Sequence, residues 1–282
     1  MKKIVSFLAA FVAIFALSAC SGEKKSQASS QTANATTANA TTTDATIRIG
    51  ATPMPHAEIL EVVRDEVQKA GFTLEIVEFN DYVTPNLATQ SGELDANFFQ
   101  HTPYLDEFNA NKGTQLVKVV GVHLEPMAAY SRKISNISEL KAGDKVLVPN
   151  DPTNENRALD LLAEAGLIEL DANVTLKTVS NIVSNPLGLV FVELEGPALP
   201  RALDDAALAV INTNFAKNIG LNPSRDGLLI ESGENNPYVN ILVVKAGNEN
   251  SPKTQILAQV LQSEAVKEFL KSKYDGEIIP AF

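Results

Sequence analysis

From Ile47 onward the chain switches repeatedly between two hydrophobic periods. Ile47-Arg-Ile-Gly50 and Leu74-Glu-Ile-Val-Glu-Phe79 alternate as half-buried strands do, whereas Pro55 to Gly71 places Ile59, Leu60, Val62, Val63 and Val67 on one helical face. Pro85–Ser91 and Thr102–Asn109 predict two more helices, and Asp95–Phe99 and Gln115–His123 two more strands. The alternation resumes with an apolar strand, Lys145-Val-Leu-Val148, and continues through Leu176–Val179, Leu189–Leu194 and Ala206–Ile211. Ser251–Tyr274 predicts a pair of amphipathic helices. Such alternation predicts an α/β fold with parallel sheets and sites at the carboxyl ends of strands. Two extended pieces, Ala128-Ala-Tyr-Ser131 and Val239-Asn-Ile-Leu-Val-Val244, read as crossings between two lobes. The body is near the size at which one core stops growing, so we expect residues 126–240 to form a second lobe inserted into a first made of 47–125 and 241–282.

A strong local signal lies in Val148-Pro-Asn-Asp-Pro-Thr-Asn-Glu-Asn-Arg157. Asp151 suits an N-cap, Pro152 the first helical position, and the helix runs through Ala165 to stop at Gly166. A helix opening beside a crevice offers N–H groups and the positive end of its dipole, and Arg157 adds a fixed cation one turn in. That combination suits a carboxylate; an ordinary capped helix with Arg157 on a wet face is the plainer alternative.

The start of the chain has a different character. Met1-Lys2-Lys3, the apolar run Ile4–Ala16 and Leu17-Ser-Ala-Cys20 form a secretory leader over residues 1–19. Cys20 is the single cysteine, placed where acyl chains would be attached, so no disulfide framework is available. Residues 20–46 are rich in Ser, Thr, Ala and Asn, a composition too polar to offset the entropy of ordering, and predict a lipidated flexible tether. The formal net charge of −11 grows by two negative units once Lys2 and Lys3 leave with the leader. With no basic patch to follow a phosphate backbone, nucleic acid is not an expected partner.

Four clusters could hold a small molecule: Asn80-Asp-Tyr-Val83; Phe98-Phe-Gln-His-Thr-Pro-Tyr104; Asn154 with Arg157; and Ile211-Asn-Thr-Asn214 with Pro237-Tyr-Val-Asn240. Aromatic faces, amides and one guanidinium suit an amphiphile with a carboxylate, an amine and an apolar tail. Each cluster also has a plainer use: Tyr82 and Tyr104 as surface plugs, His101 as a structural histidine, Asn212 as a turn cap. No Gly-x-Gly-x-x-Gly or Walker loop follows a strand, and no Gly-x-Ser-x-Gly is present, so neither a nucleotide cofactor nor a hydrolase is supported. His56-x-Glu58 and His123-x-Glu125 are the nearest approach to a metal pattern and lack the His-Glu-x-x-His spacing.

At these residues the chain resembles the methionine-binding lipoproteins of ABC importers. The resemblance rests on Ala51-Thr-Pro, Phe79-Asn-Asp-Tyr, Pro85-Asn-Leu-Ala, Phe99-Gln-His-x-Pro-Tyr-Leu105, Pro149-Asn-Asp-Pro-Thr-Asn-x-x-Arg157, Leu199-Pro-Arg201, Ala209-Val-Ile-Asn-Thr-Asn214 and Pro237-Tyr-Val-Asn240. It implies a two-lobed periplasmic-binding-protein fold of type II character, no enzymatic activity and no cofactor. L- or D-methionine would be held in the interlobe cleft and passed to a membrane permease driven by an ATPase, the body lying in the periplasm. The resemblance puts Tyr82, Phe99, His101 and Tyr104 around the side chain and Asn154 and Arg157 on the carboxylate. Asn212 and Asn240 would then hold the ammonium and remaining polar atoms. Another small apolar amino acid or a methionine dipeptide is the alternative ligand, and an envelope metal-binding or structural protein the alternative class. The chain departs from the family pattern at Ala128-Ala129 and at Gly196-Pro197.

Overall fold

The computed structural model describes residues 45–282; the leader, Cys20 and the tether through residue 44 lie outside the described residues. The chain begins with β1 (Thr46–Ala51), α1 (Glu58–Lys69), β2 (Thr73–Glu78), α2 (Thr84–Ser91), β3 (Ala96–His101), α3 (Thr102–Lys112) and β4 (Leu116–Leu124). It then builds β5 (Ala128–Tyr130), β6 (Lys145–Pro149), α4 (Pro152–Glu164), β7 (Glu169–Leu170), β8 (Ile182–Ser184) and β9 (Val190–Leu194). Next come α5 (Leu199–Ala202), β10 (Leu208–Ile211), α6 (Thr213–Lys217), α7 (Pro223–Asp226) and β11 (Leu229–Ile230). The last elements are β12 (Val239–Lys245), α8 (Pro252–Leu261), α9 (Glu264–Tyr274) and β13 (Ile279–Pro280).

Two sheets result. One has the order β13-β4-β12-β3-β1-β2 and the other β11-β5-β10-β6-β9, with β7 and β8 forming a separate pair. The sheets are mixed rather than parallel. In the first, β1 is parallel to β2 and β3, but β12 runs antiparallel to both β3 and β4. In the second, β6 is parallel to β9 and β10, but β5 is antiparallel to β10. The reversals of β5 and β12 share one cause. β5 and β12 are the strands that receive the chain from the other sheet; each starts opposite the carboxyl end of a neighbour (Ala128 faces Ile211, Asn240 faces His101) and must run back the other way. The two extended pieces read as crossings are therefore sheet strands, and the chain passes between sheets at Glu125–Met127 and Glu231–Tyr238.

Each sheet has its own core. In the first, Ile47 and Ile49 of β1 meet Ile59, Leu60, Val63 and Val67 of α1 together with Leu257, Leu261, Val266 and Leu270 of the final helix pair. Val62 is only half-buried, at the margin of the face the periodicity assigns to it. In the second, Val146 and Val148 pack on Leu159 and Leu162 of α4, while Leu147, Ala209 and Ile211 face Leu199 and Phe215. Residues 176–178 form no strand. Side chains of α4 capture the backbone donors there: Lys177 N–H bonds Asn156 Oδ1 at 2.8 Å and Val179 N–H bonds Glu155 Oε1 at 2.8 Å, so the segment lies along the helix instead.

A buried amide network clamps α2 to β3. Asn97 Nδ2 donates to Asn86 Oδ1 (3.0 Å) and Thr89 Oγ1 (2.8 Å), and Gln100 Nε2 donates to Asn86 Oδ1 (2.6 Å) and Asn97 Oδ1 (2.7 Å). All four side chains are buried, so the network excludes water and each member depends on the others. Replacing Asn97 with Ala orphans a donor on Gln100 and removes the donor shared by Asn86 and Thr89. At about 1–3 kcal/mol per unsatisfied buried group, Asn97→Ala is expected to destabilise the fold by roughly 2 kcal/mol, read as a lower urea midpoint with an unchanged slope.

Candidate functional site

The helix α4 forms where its sequence demands. Asp151 caps it, accepting from the N–H of Asn154 at 3.0 Å, with Pro152 in the first turn. Because Asp151 already takes that N–H, the helix presents the side chains of Asn154 and Arg157, not this backbone donor, to the space between the sheets. Both side chains are buried, Arg157 to 4% exposure.

Around them lies a small cavity lined by Tyr82, Phe99, Gln100, His101, Tyr104, Glu125, Asn154, Arg157, Asn212, Asn214 and Asn240. All eight residues expected to contact a ligand are in this lining. Tyr82, Phe99, His101, Tyr104 and Asn240 come from the side of the six-stranded sheet, and Asn154, Arg157 and Asn212 from that of the five-stranded sheet. Gln100, Glu125 and Asn214 were not anticipated. Gln100 is a neighbour of two expected contacts on a strand, where alternation argues against it. The pairing explains its place: β12 residues Ile241 and Leu242 oppose Gln100 and Phe98, leaving Phe99 unpaired in a bulge that twists the end of β3. Asn214 lies inside a motif already quoted, and Glu125 ends the His123-x-Glu125 pair read only as a weak metal pattern.

One wall is aromatic. Tyr82 is tilted against Phe99 (ring centroids 5.6 Å apart) and edge-on to Tyr104 (5.8 Å), and it stacks on Phe215 at 4.8 Å. Its hydroxyl donates to Asn214 Oδ1 at 2.6 Å, a bond between the two sides of the cavity. Burial pushes the Tyr82 hydroxyl well above its ordinary pKa, so it stays a donor. Gly196 makes the stack possible: a Cβ there would come within 2.6 Å of the Phe215 ring.

The polar wall is unevenly satisfied. Asn154 is saturated: its Oδ1 accepts from His101 Nε2 (3.2 Å) and Asn212 Nδ2 (2.8 Å), and its Nδ2 donates to both Asp151 oxygens (2.9 and 3.0 Å). Arg157 gives Nε and Nη2 to Glu231 (2.8 and 2.5 Å) and Nη2 also to the Glu125 carbonyl (2.8 Å), with Tyr238 flat against its guanidinium at 4.3 Å. Its Nη1 has no protein acceptor among the described residues. Asn212 Oδ1 and Asn214 Nδ2 are buried without partners. An acceptor, a donor and a guanidinium nitrogen thus remain for something else, a pattern native interiors rarely tolerate without purpose.

Beneath the cavity, His56 Nε2, His123 Nε2 and a Glu125 oxygen converge within 4.8 Å, a donor set with the chemistry to hold a divalent metal. Protein bonds already engage these atoms. His56 lies between Thr52 Oγ1 (2.7 Å) and Asn240 Oδ1 (3.0 Å), and His123 Nε2 donates to Glu125 at 2.8 Å. Burial lowers the pKa of His56 to about 4 and of His123 to about 3; burial, then the Arg157 charge, lowers His101 to about 3.

A two-lobed α/β body with a closed, half-aromatic and half-polar site between its lobes defines a periplasmic substrate-binding protein. The NlpA lipoprotein profile matches residues 47–282, and the chain belongs to that family. It is 44% identical over 234 residues to the D-methionine-binding lipoprotein MetQ of Escherichia coli K12, covering 82% of this chain and 86% of that protein. A nutrient-binding protein from Burkholderia cenocepacia, solved bound to methionine, superposes with a TM-score of 0.81 at 40% identity, over 84% of this chain and all (100%) of that one. A periplasmic substrate-binding protein of an ABC transporter from Coxiella burnetii superposes with a TM-score of 0.79 at 41% identity, over 83% of this chain and 100% of that one.

The chain has three histidines, all in or beneath this site, which makes their charge state measurable one by one. Their depressed pKa values mean that the unfolded chain binds more protons than the folded one below pH 6.5, so their contribution to stability is lost as pH falls from 6.5 towards 3. The buried carboxyls Glu125 and Asp151, raised by burial, act in the opposite sense over part of that window. The direct check is imidazole ¹⁵N NMR: all three rings are expected to keep neutral-form shifts from pH 8 down to pH 5.

Proposed function

We propose that this protein is a lipid-anchored substrate-binding component that captures methionine, in the L or D form, between its lobes and delivers it to an ABC importer of permease and ATPase. The observation that carries the reading is the convergence of eight chemically matched side chains from both lobes on one cavity, in a fold shared with a methionine-bound protein. Tyr82, Phe99 and Tyr104 would receive the thioether, which gains about 0.3–1.5 kcal/mol from sulfur–aromatic contact. Arg157 Nη1 and Asn214 Nδ2 would take the carboxylate, and Asn212 Oδ1 and Asn240 the ammonium. Asn154, saturated by protein bonds, would act by holding His101 and Asn212 in place.

The lobes would part and close about crossings near Glu125 and near Asn240, and the closed form would be what the permease receives. Acyl chains on Cys20 would hold the body at the envelope. Among the described residues no helix is long and apolar enough to cross a membrane. Binding without turnover fits the names that the relatives carry.

Isothermal titration of methionine provides the test. Arg157→Ala and Asn240→Ala are each expected to weaken binding at least tenfold, about 1.4 kcal/mol, with melting curves run on the same samples to confirm folding. Wild-type affinity in both folded variants would remove this assignment.

A further inference from the structure

Glu125 is the one acidic side chain in the cavity lining, and the ligand contacts proposed above do not use it. It follows β4, at the first crossing between the sheets, and is buried at 6% exposure. Its carboxyl is held from below by neutral donors. His123 Nε2 lies at 2.8 Å and His56 Nε2 at 3.3 Å. Asn240 Oδ1, an acceptor 3.0 Å from His56 Nε2, calls for the proton on that nitrogen and leaves Nδ1 to accept from Thr52 Oγ1 at 2.7 Å. One imidazole hydrogen bond, from His123, thus reaches a buried carboxyl group, with the neutral His56 ring beside it, and no cation touches it; Arg157 acts on it from a distance and spends Nε and Nη2 on Glu231 and the Glu125 carbonyl. A buried anion supported only by neutral donors is under-compensated. Asn240 Oδ1, bonded to the same His56 Nε2 at 3.0 Å, places Glu125 at the ammonium end of the cavity, while Arg157 serves the carboxylate end.

We propose that Glu125, held by His56 and His123, is the counter-ion that reads the ligand's ammonium, and so makes the site selective for a free α-amino acid over its des-amino analogue. This rests on the methionine reading above. The two charges of the zwitterion would then meet opposite charges carried by different lobes, so neither lobe alone could hold the ligand. Burial raises the Glu125 carboxyl's pKa, with His56, Arg157 and the Asn214 N–H pulling the other way. The other ionisable groups coupled to it are His123, Tyr82 and Tyr274. An ammonium in contact favours the carboxylate, so binding expels the carboxyl proton from any molecule that carries one.

The test compares L-methionine with 4-(methylthio)butanoate, which lacks only the ammonium, by calorimetry on the wild type and on Glu125→Gln. The wild type is expected to prefer methionine at least tenfold, and in Glu125→Gln the preference falls below threefold while the des-amino compound binds no worse. Retention of the wild-type preference in folded Glu125→Gln overturns the proposal and leaves methionine binding intact. Should Glu125→Gln fail to fold, Glu125→Asp decides at pH 7.5, where both ligands carry an ionised carboxylate: a preference for methionine at least threefold below that of the wild type supports the assignment, and an unchanged preference overturns it. A wild type that binds neither compound removes the methionine reading, and this assignment with it.

Discussion

Arg157 is the residue on which the arrangement turns. A guanidinium with 4% exposure has to be compensated by the protein, and here the compensation comes from both places where the chain passes between its sheets. Glu231, at the start of the second crossing, grips Nε and Nη2, and the Glu125 carbonyl, at the first, accepts from Nη2. One side chain on α4 thereby ties together two segments more than a hundred residues apart. Such a pair adds little to net stability, because desolvation consumes most of the Coulombic gain. Its effect is geometric: with Tyr238 4.3 Å from the guanidinium and Nε and Nη2 committed, the side chain is fixed in the cavity lining and Nη1 is the nitrogen without a protein acceptor among the described residues.

The cavity shows a division of labour between groups that are satisfied and groups that are not. Asn154, His101 and the Asn86–Asn97–Gln100 network have their hydrogen bonds met within the protein and act as rigid supports. Asn212 and Asn214 each retain one unpaired buried atom. The cost of leaving a polar atom dry is recovered only when a partner arrives, which biases the site toward a ligand that presents both a donor and an acceptor. Behind the aromatic wall the same logic applies to shape. Gly196 lets Phe215 in, Phe215 backs Tyr82, and Tyr82 holds its ring by donating to Asn214 across the gap.

Much of this could be read from residues in a row. Period-2 and period-3.6 patterns marked most strands and helices of both lobes, the Asp151-Pro152 cap marked the start of α4, and the low-complexity stretch before Ile47 marked where the body begins. These are local properties, set by backbone sterics and by which face of an element is apolar. The clusters next to strand ends could be read as candidates, because an α/β topology brings side chains together there, and the family resemblance singled out the eight residues that line the cavity.

Strand direction, the bulge and the hidden carboxylate were decided elsewhere. β5 and β12 are antiparallel because they carry the chain back from the other lobe, and nothing in Ala128–Tyr130 or Val239–Lys245 encodes that. Residues 176–178 lost their strand to side chains of α4, and Gln100 reached the cavity through a register shift against β12. Glu125 and His123, two residues apart, gain their meaning from His56, which the sequence places 69 positions before Glu125 and the fold brings to 3.3 Å. The sequence by itself determined which elements exist and which of their faces are apolar, since both follow from interactions within a few residues. Which polar atoms meet, and which are left open for a ligand, only the tertiary structure could decide, because desolvation and hydrogen-bond satisfaction depend on neighbours that the chain supplies from far away.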